Sequence, residues 1–138
     1  MMAVLLLWGC ATSAVIPLTA ESPDPFPDDR YHERAAAIEL GVWHADKVGP
    51  SATDSQDWKT FTLRQPTRLR LNFINSAPAG DVLLKIFRED GYPMMTVLGT
   101  AGSEQLATGD FQAGTFLVEI SVESIEFGLP YMLKLQSL

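Results

Sequence analysis

The sequence contains very little cysteine and histidine, which limits the chemistry open to it. Its 138 residues include one cysteine, Cys10, and two histidines, His32 and His44. Since one thiol cannot form an intrachain disulfide, no disulfide framework is available to this chain. The histidines lie in different local segments and lack the His-x-x-x-His spacing of zinc sites. These absences argue against cysteine-dependent catalysis and against the common zinc motifs.

Positive charge is scarce as well. The 10 Lys and Arg residues are outnumbered by 17 Asp and Glu residues, which gives a formal net charge of −7. Because a nucleic-acid backbone is bound through clustered lysines and arginines, we expect no nucleic-acid partner. The phosphate-binding loop motif and the Gly-x-Ser-x-Gly nucleophile motif are both missing from the sequence. The sequence therefore favours a protein that is not an enzyme.

The N-terminus is apolar, but no run reaches the ~20 apolar residues that a membrane-spanning helix needs. Residues 1–20 are instead typical of a signal peptide. Leu7-Trp8-Gly9-Cys10 resembles the bacterial lipobox, which implies that lipid on Cys10 anchors the chain to a membrane. Two alternatives stay open: cleavage after Ala14 or Ala20, and a cysteine that is simply buried in an apolar segment.

A short linker follows the apolar segment. Pro23, Pro25 and Pro27 lie within five positions and favour an extended conformation over a helix. We therefore predict a signal at residues 1–20, a proline-rich linker at 21–29 and a single domain at 30–138.

The body of the chain alternates apolar and polar residues between turn signals, apart from one short helix. That helix is predicted from about Asp29 to Leu40, since three alanines favour it and Gly41 can end it. Strands are predicted at 58–64, 68–73, 82–88, 94–98, 104–108, 114–122 and 131–135. The pattern predicts an all-β fold, an antiparallel, jelly-roll-like β-sandwich with one short N-terminal helix.

The order of three motifs resembles the bacterial pre-peptidase C-terminal (PPC) domain over residues 35–136. The motifs are 36–63, with an acidic turn before Trp58, then 81–91, with Asp90-Gly91, and finally 114–135, with Gly114-Thr115-Phe116. The sequence departs from the family at Lys59, where a second aromatic residue is usual. The resemblance implies a β-sandwich on an exported protein and an accessory role without catalysis.

Candidate contact residues are few. Trp43 and Trp58 are the tryptophans of the domain, and each is either a core anchor or an exposed contact for a sugar or a protein. Residues 125–130 form an apolar loop, in which Phe127 and Leu129 are candidate contacts. The same loop can also close the end of the core.

Asp54 and Asp57 are the remaining candidates, because they are close in sequence and lie in a turn. Calcium takes oxygen ligands, so this pair is a speculative calcium site, although two carboxylates fall short of a full shell. The alternative is a turn in which the aspartates bond nearby backbone groups.

The leading hypothesis is an exported, lipid-anchored envelope protein, without enzymatic activity, that binds an envelope protein or an extracellular polymer. One alternative is a structural subunit that pairs with a neighbouring chain through an edge strand. Another is a small hydrolase, which requires a cleft that gathers Asp54, Asp57 or a histidine.

Overall fold

The computed structural model describes residues 35–49, 55–122 and 128–138. These ranges hold nine β-strands, numbered in chain order: β1 Ala36–Ala37, β2 His44–Val48, β3 Gln56–Leu63, β4 Thr67–Asn75, β5 Val82–Arg88, β6 Pro93–Gly99, β7 Ser103–Phe111, β8 Gly114–Val122 and β9 Leu129–Ser137.

The strands form two sheets. Sheet I has the order β2-β9-β4-β7, and sheet II has the order β1-β3-β8-β5-β6. Every paired strand is antiparallel to its neighbour except β1, which runs parallel to β3. Strands that follow one another in sequence lie in different sheets, apart from the β5–β6 hairpin. The predicted antiparallel, jelly-roll-like sandwich is confirmed.

Alternation along each strand decides which side chains enter the core. On β4, Leu69, Leu71 and Phe73 are buried, while the residues between them are at least partly exposed. The same alternation occurs on β9, where Leu133 and Leu135 are buried. Because side chains point to opposite faces at successive positions, each sheet has one inner and one outer face. The inner faces of the two sheets enclose a single hydrophobic core.

The β5–β6 hairpin forms where the Asp90-Gly91 signal predicts it. Gly91 takes a φ of 92°, and its N–H donates to the carbonyl of Arg88 at 2.8 Å. This φ is readily available to glycine, which has no Cβ to clash. β5 itself lies between β8 and β6, as its apolar residues on both faces predict.

The predicted N-terminal helix is wrong over Ala35–Leu40, the part of it that the structure describes. Ala36 and Ala37 instead pair with Lys59 and Thr60 of β3, and Ile38 is only 6% exposed in the core. Alanine favours a helix by well under 1 kcal/mol per residue, so strand pairing and burial of Ile38 outweigh it. Residues 29–34 of the predicted helix lie outside the described residues. No helix within the described ranges has the length and apolar character to cross a membrane.

Candidate functional site

Trp43 lies on the outer face of sheet I and is accessible to a partner. The residue directly precedes β2, and its ring remains 38% exposed. The ammonium group of Lys134, on the neighbouring strand β9, lies 5.0 Å from the centre of the ring. A cation over an aromatic face is attracted to the ring electrons, so this contact favours one position of the Trp43 side chain beside β9.

Four of the basic side chains project from this same face. They alternate with buried neighbours, and they are Lys47 on β2, Arg68 and Arg70 on β4, and Lys134 on β9. We call these four residues and Trp43 the basic face. Two acidic residues lie on the edge strand β7, where Asp110 pairs with Arg68 and Glu104 accepts a hydrogen bond from Asn72 at 3.0 Å. The basic face thus concentrates positive charge on a protein whose net charge is −7.

Trp58 lies on the opposite side of the molecule. It projects from the outer face of sheet II, where its ring centroid is 6.2 Å from that of Phe87. Trp58 is partly buried, and together with Phe87 and Leu117 it lines a shallow cleft of about 320 Å³. Lys85 and Glu119 are register partners on this face, so their charges offset each other. The two tryptophans therefore cannot belong to one contact surface.

A second cleft lies beside the β5–β6 turn. It has a volume of about 700 Å³, and its lining includes Arg88, Asp90 and Tyr92. Arg88 forms a salt bridge with Asp90, and its guanidinium lies 4.7 Å from the centre of the Tyr92 ring. The hydrogen bond from Arg88, followed by that from the backbone N–H of Tyr92, lowers the pKa of Asp90. These contacts hold the turn in one shape and leave Tyr92 58% exposed.

The structure contradicts the candidate contact at Leu129. This side chain is only 2% exposed and belongs to the hydrophobic core. It occupies the inward position at the start of β9, so alternation buries it with Leu133 and Leu135. Phe127 lies outside the described residues.

Asp57 points into the sandwich. Its side chain is fully buried, and its Oδ2 accepts a hydrogen bond of 2.7 Å from the hydroxyl of Tyr131 on β9. Asp54 lies outside the described residues, so the calcium site stays a prediction. Within the described residues, no group of three or more His, Cys, Asp or Glu side chains is placed to hold a metal ion.

Lys59 is the buried residue that sequence reasoning did not recognise. Its side chain is 0% exposed, and its Nζ lies 2.5 Å from Oδ2 of Asp46 on β2, whose side chain is 2% exposed. The signal was present in the alternation, because Lys59 shares the inward positions of β3 with Asp57, Phe61 and Leu63. The departure from the PPC pattern at Lys59 therefore places an ion pair between the two sheets.

The groups that a hydrolase would need are separated in the described structure. Asp57 faces the interior, whereas Nε2 of His44 accepts a hydrogen bond from the backbone N–H of Glu39 at 3.1 Å. Neither residue lines the two clefts described above. His32 and Cys10 lie outside the described residues.

The arrangement defines a β-sandwich whose outer faces differ, since one carries the basic face and the other carries Trp58 and the offsetting charges of Lys85 and Glu119. No family model matches the chain. No curated protein matches it either. Among solved structures, the chain is similar to the pre-peptidase C-terminal domain of the collagenase from Bacillus anthracis, with a TM-score of 0.63 and 14% identity over 74% of this chain and 94% of that one.

At this identity the likeness shows the fold. The protein is a β-sandwich with the PPC-domain fold, and the resemblance predicted from the three sequence motifs is confirmed at that level.

Proposed function

We propose that this chain is a non-catalytic binding module that holds an acidic extracellular polymer on its basic face. The exposed Trp43 ring beneath the Lys134 ammonium carries the proposal. A flat aromatic ring can stack on a sugar, and the surrounding cations can pair with carboxylates of the polymer. The outer face of sheet II lacks this combination, because Trp58 is partly buried beside Phe87 and Lys85 faces Glu119.

The charge distribution supports the same partner. Positive side chains gather on the outer face of sheet I, although the whole chain carries a net charge of −7. Binding would therefore be confined to the face where Lys47, Arg70 and Lys134 project together. Because these side chains are close to solvent, salt should screen the attraction and weaken the binding.

Binding of alginate, a polysaccharide that carries carboxylates, tests the proposal, with uncharged dextran as the reference polymer. We expect the full chain to bind alginate and not dextran, with an affinity that falls as salt is added. Lys134→Glu should weaken the affinity about tenfold, which corresponds to ~1.4 kcal/mol.

Lys85→Glu is the matched control, since it makes the same charge change on the outer face of sheet II. It should leave the affinity within about twofold of the unaltered protein, a change well below the tenfold step of 1.4 kcal/mol. Equal losses in the two variants, or no retention of alginate at all, would reject the basic face as the binding surface.

We also propose that the module is exported and anchored to the envelope by lipid on Cys10. The lipobox-like residues 7–10 and the proline-rich linker support this placement. The intact mass of the protein recovered from its native cell surface tests it. A mass equal to residues 10–138 plus lipid is expected, whereas an unlipidated chain that begins after Ala14 or Ala20 would show simple export.

A structural role through an edge strand is the second candidate. β7 forms one edge of sheet I, and Leu106 at its centre is 63% exposed. An exposed edge can pair with a strand from another chain. A protein that stays dimeric on dilution, with or without alginate, would favour this candidate.

A further inference from the structure

The buried pair of Lys59 and Asp46 joins the two sheets of the sandwich. Lys59 is on β3 in sheet II, and Asp46 is on β2 in sheet I. Their side chains are 0% and 2% exposed, and Nζ lies 2.5 Å from Oδ2. Since the carboxyl carbon is one C–O bond of about 1.23 Å from Oδ2, Nζ is at most about 3.7 Å from that carbon. This upper bound is close to the separation of about 3–3.5 Å at which reacting atoms lie in a near-attack arrangement.

A third ionisable group faces the same interior layer. Asp57 precedes Lys59 by two positions on the inward face of β3 and is fully buried. It accepts the hydrogen bond of Tyr131, and Tyr131 is the register partner of Asp46. Asp57 and Lys59 thus share the inward face of β3, and the hydrogen bond from Tyr131 joins Asp57 to β9, the strand that pairs with the one carrying Asp46. A carboxylate in this position can accept a proton and return it.

We propose that Lys59 and Asp46 condense into an intramolecular amide bond that covalently links the two sheets. In the proposed step, one proton passes from the ammonium of Lys59 to the carboxylate of Asp46, which gives a neutral amine and a neutral carboxylic acid. The lone pair of Nζ then forms a bond to Cγ of Asp46. Exclusion of bulk water from the core favours the amide over its hydrolysis.

The step balances without any further reagent. The new bond is N–C, and the bond that breaks joins Cγ of Asp46 to one carboxyl oxygen, which leaves with its electron pair. Asp57 takes the proton that nitrogen loses and delivers it to the leaving oxygen, so one water molecule is released. No atom is oxidised or reduced, and Asp57 ends in the state in which it began.

Mass spectrometry of the denatured full chain tests this proposal. The protein should be lighter than its sequence by one water, whatever its N-terminus proves to be. Trypsin should fail to cut after Lys59, and a branched peptide should join the segments that contain Asp46 and Lys59. In Lys59→Arg, which keeps the positive charge, the mass should equal that of the sequence.

Two more variants test the mechanism of amide formation, and a third variant is a control. Asp46→Asn should lose one ammonia in place of one water, because the amide nitrogen becomes the leaving group. Asp57→Asn should fold and keep the unreacted mass, since it retains the shape of Asp57 and loses the proton carrier. Lys85→Arg, a lysine outside the core, should still lose one water.

A folded protein with its full sequence mass and normal cleavage after Lys59 would overturn the proposal. The pair would then be an ion pair only. A water loss located at any other pair of residues would overturn it as well.

Discussion

The interior of the sandwich differs between its two ends, and strand β3 passes through both. At one end Phe61 stacks on Phe116 with ring centroids 5.2 Å apart, and Phe111 meets Phe116 edge to face at the same distance. At the other end, the inward positions of β3 are Asp57 and Lys59. We call these the aromatic end and the polar end of the core.

The two ends depend on different forces. The aromatic end is stabilised by removal of apolar area from water, which requires close packing and no particular partner atom. The polar end requires specific partners, because buried polar groups lose their hydration and only well-placed contacts compensate for that loss. The aromatic end therefore requires only side chains of complementary shape. The polar end requires a lysine, two aspartates and a tyrosine in defined positions.

The largest loss of stability is expected at the aromatic end. Phe116→Ala removes a ring that is 3% exposed and contacts two other phenylalanines. We expect the free energy of unfolding to fall by about 3–5 kcal/mol, because the cavity adds to the lost transfer free energy. Urea unfolding followed by circular dichroism measures it.

Leu117→Ala is the control for this variant, since Leu117 is adjacent on β8 and points to the outer face. Leu117→Ala should lower the free energy of unfolding by less than Phe116→Ala does. Equal losses would show that the aromatic end contributes no more than the surface of the same strand.

A smaller loss is expected at the polar end from Tyr131→Phe. This change removes the hydroxyl that donates to Asp57 and preserves the ring against Phe73. We expect a loss of about 1–3 kcal/mol, the cost of removing one donor from a buried acceptor. The same urea experiment measures it.

Tyr92→Phe provides the matched comparison, because it removes a hydroxyl from a ring that is 58% exposed. The free energy of unfolding of Tyr92→Phe should stay within about 0.5 kcal/mol of that of the unaltered protein. A negligible loss in Tyr131→Phe would mean that the hydrogen bond to Asp57 contributes little at the polar end.

The strands that bury one apolar face could be predicted from the sequence. The segment 114–122 matches β8, and 82–88 matches β5, because alternation and turn residues specify both position and face. The predicted strand 131–135 is shorter than β9, since β9 begins at Leu129 and continues through Pro130, where the sequence suggests a break. Periodicity therefore identified the core strands, with exact ends where turn residues flank them and with shortened ends at β9.

The polar end and the N-terminal strands could not be predicted in the same way. Asp46 and Lys59 belong to different sheets, so their contact depends on packing and not on local spacing. β2 contains His44, Asp46 and Lys47 and has no apolar alternation. Its pairing with β9 supplies the hydrogen bonds that make it a strand. Trp43 was a candidate from the start, but only the fold places it beside Lys134 and away from Trp58.

The position of strand β9 in sheet I affects the order in which the protein folds. It is the last strand in sequence, yet it lies between β2 and β4 in the middle of sheet I. Its partners include residues 44–48 and 69–75, so its pairs with β2 span more than half of the chain and those with β4 slightly less than half. Such distant pairings form late and slowly. The residues of β9 must therefore leave the ribosome before sheet I can close.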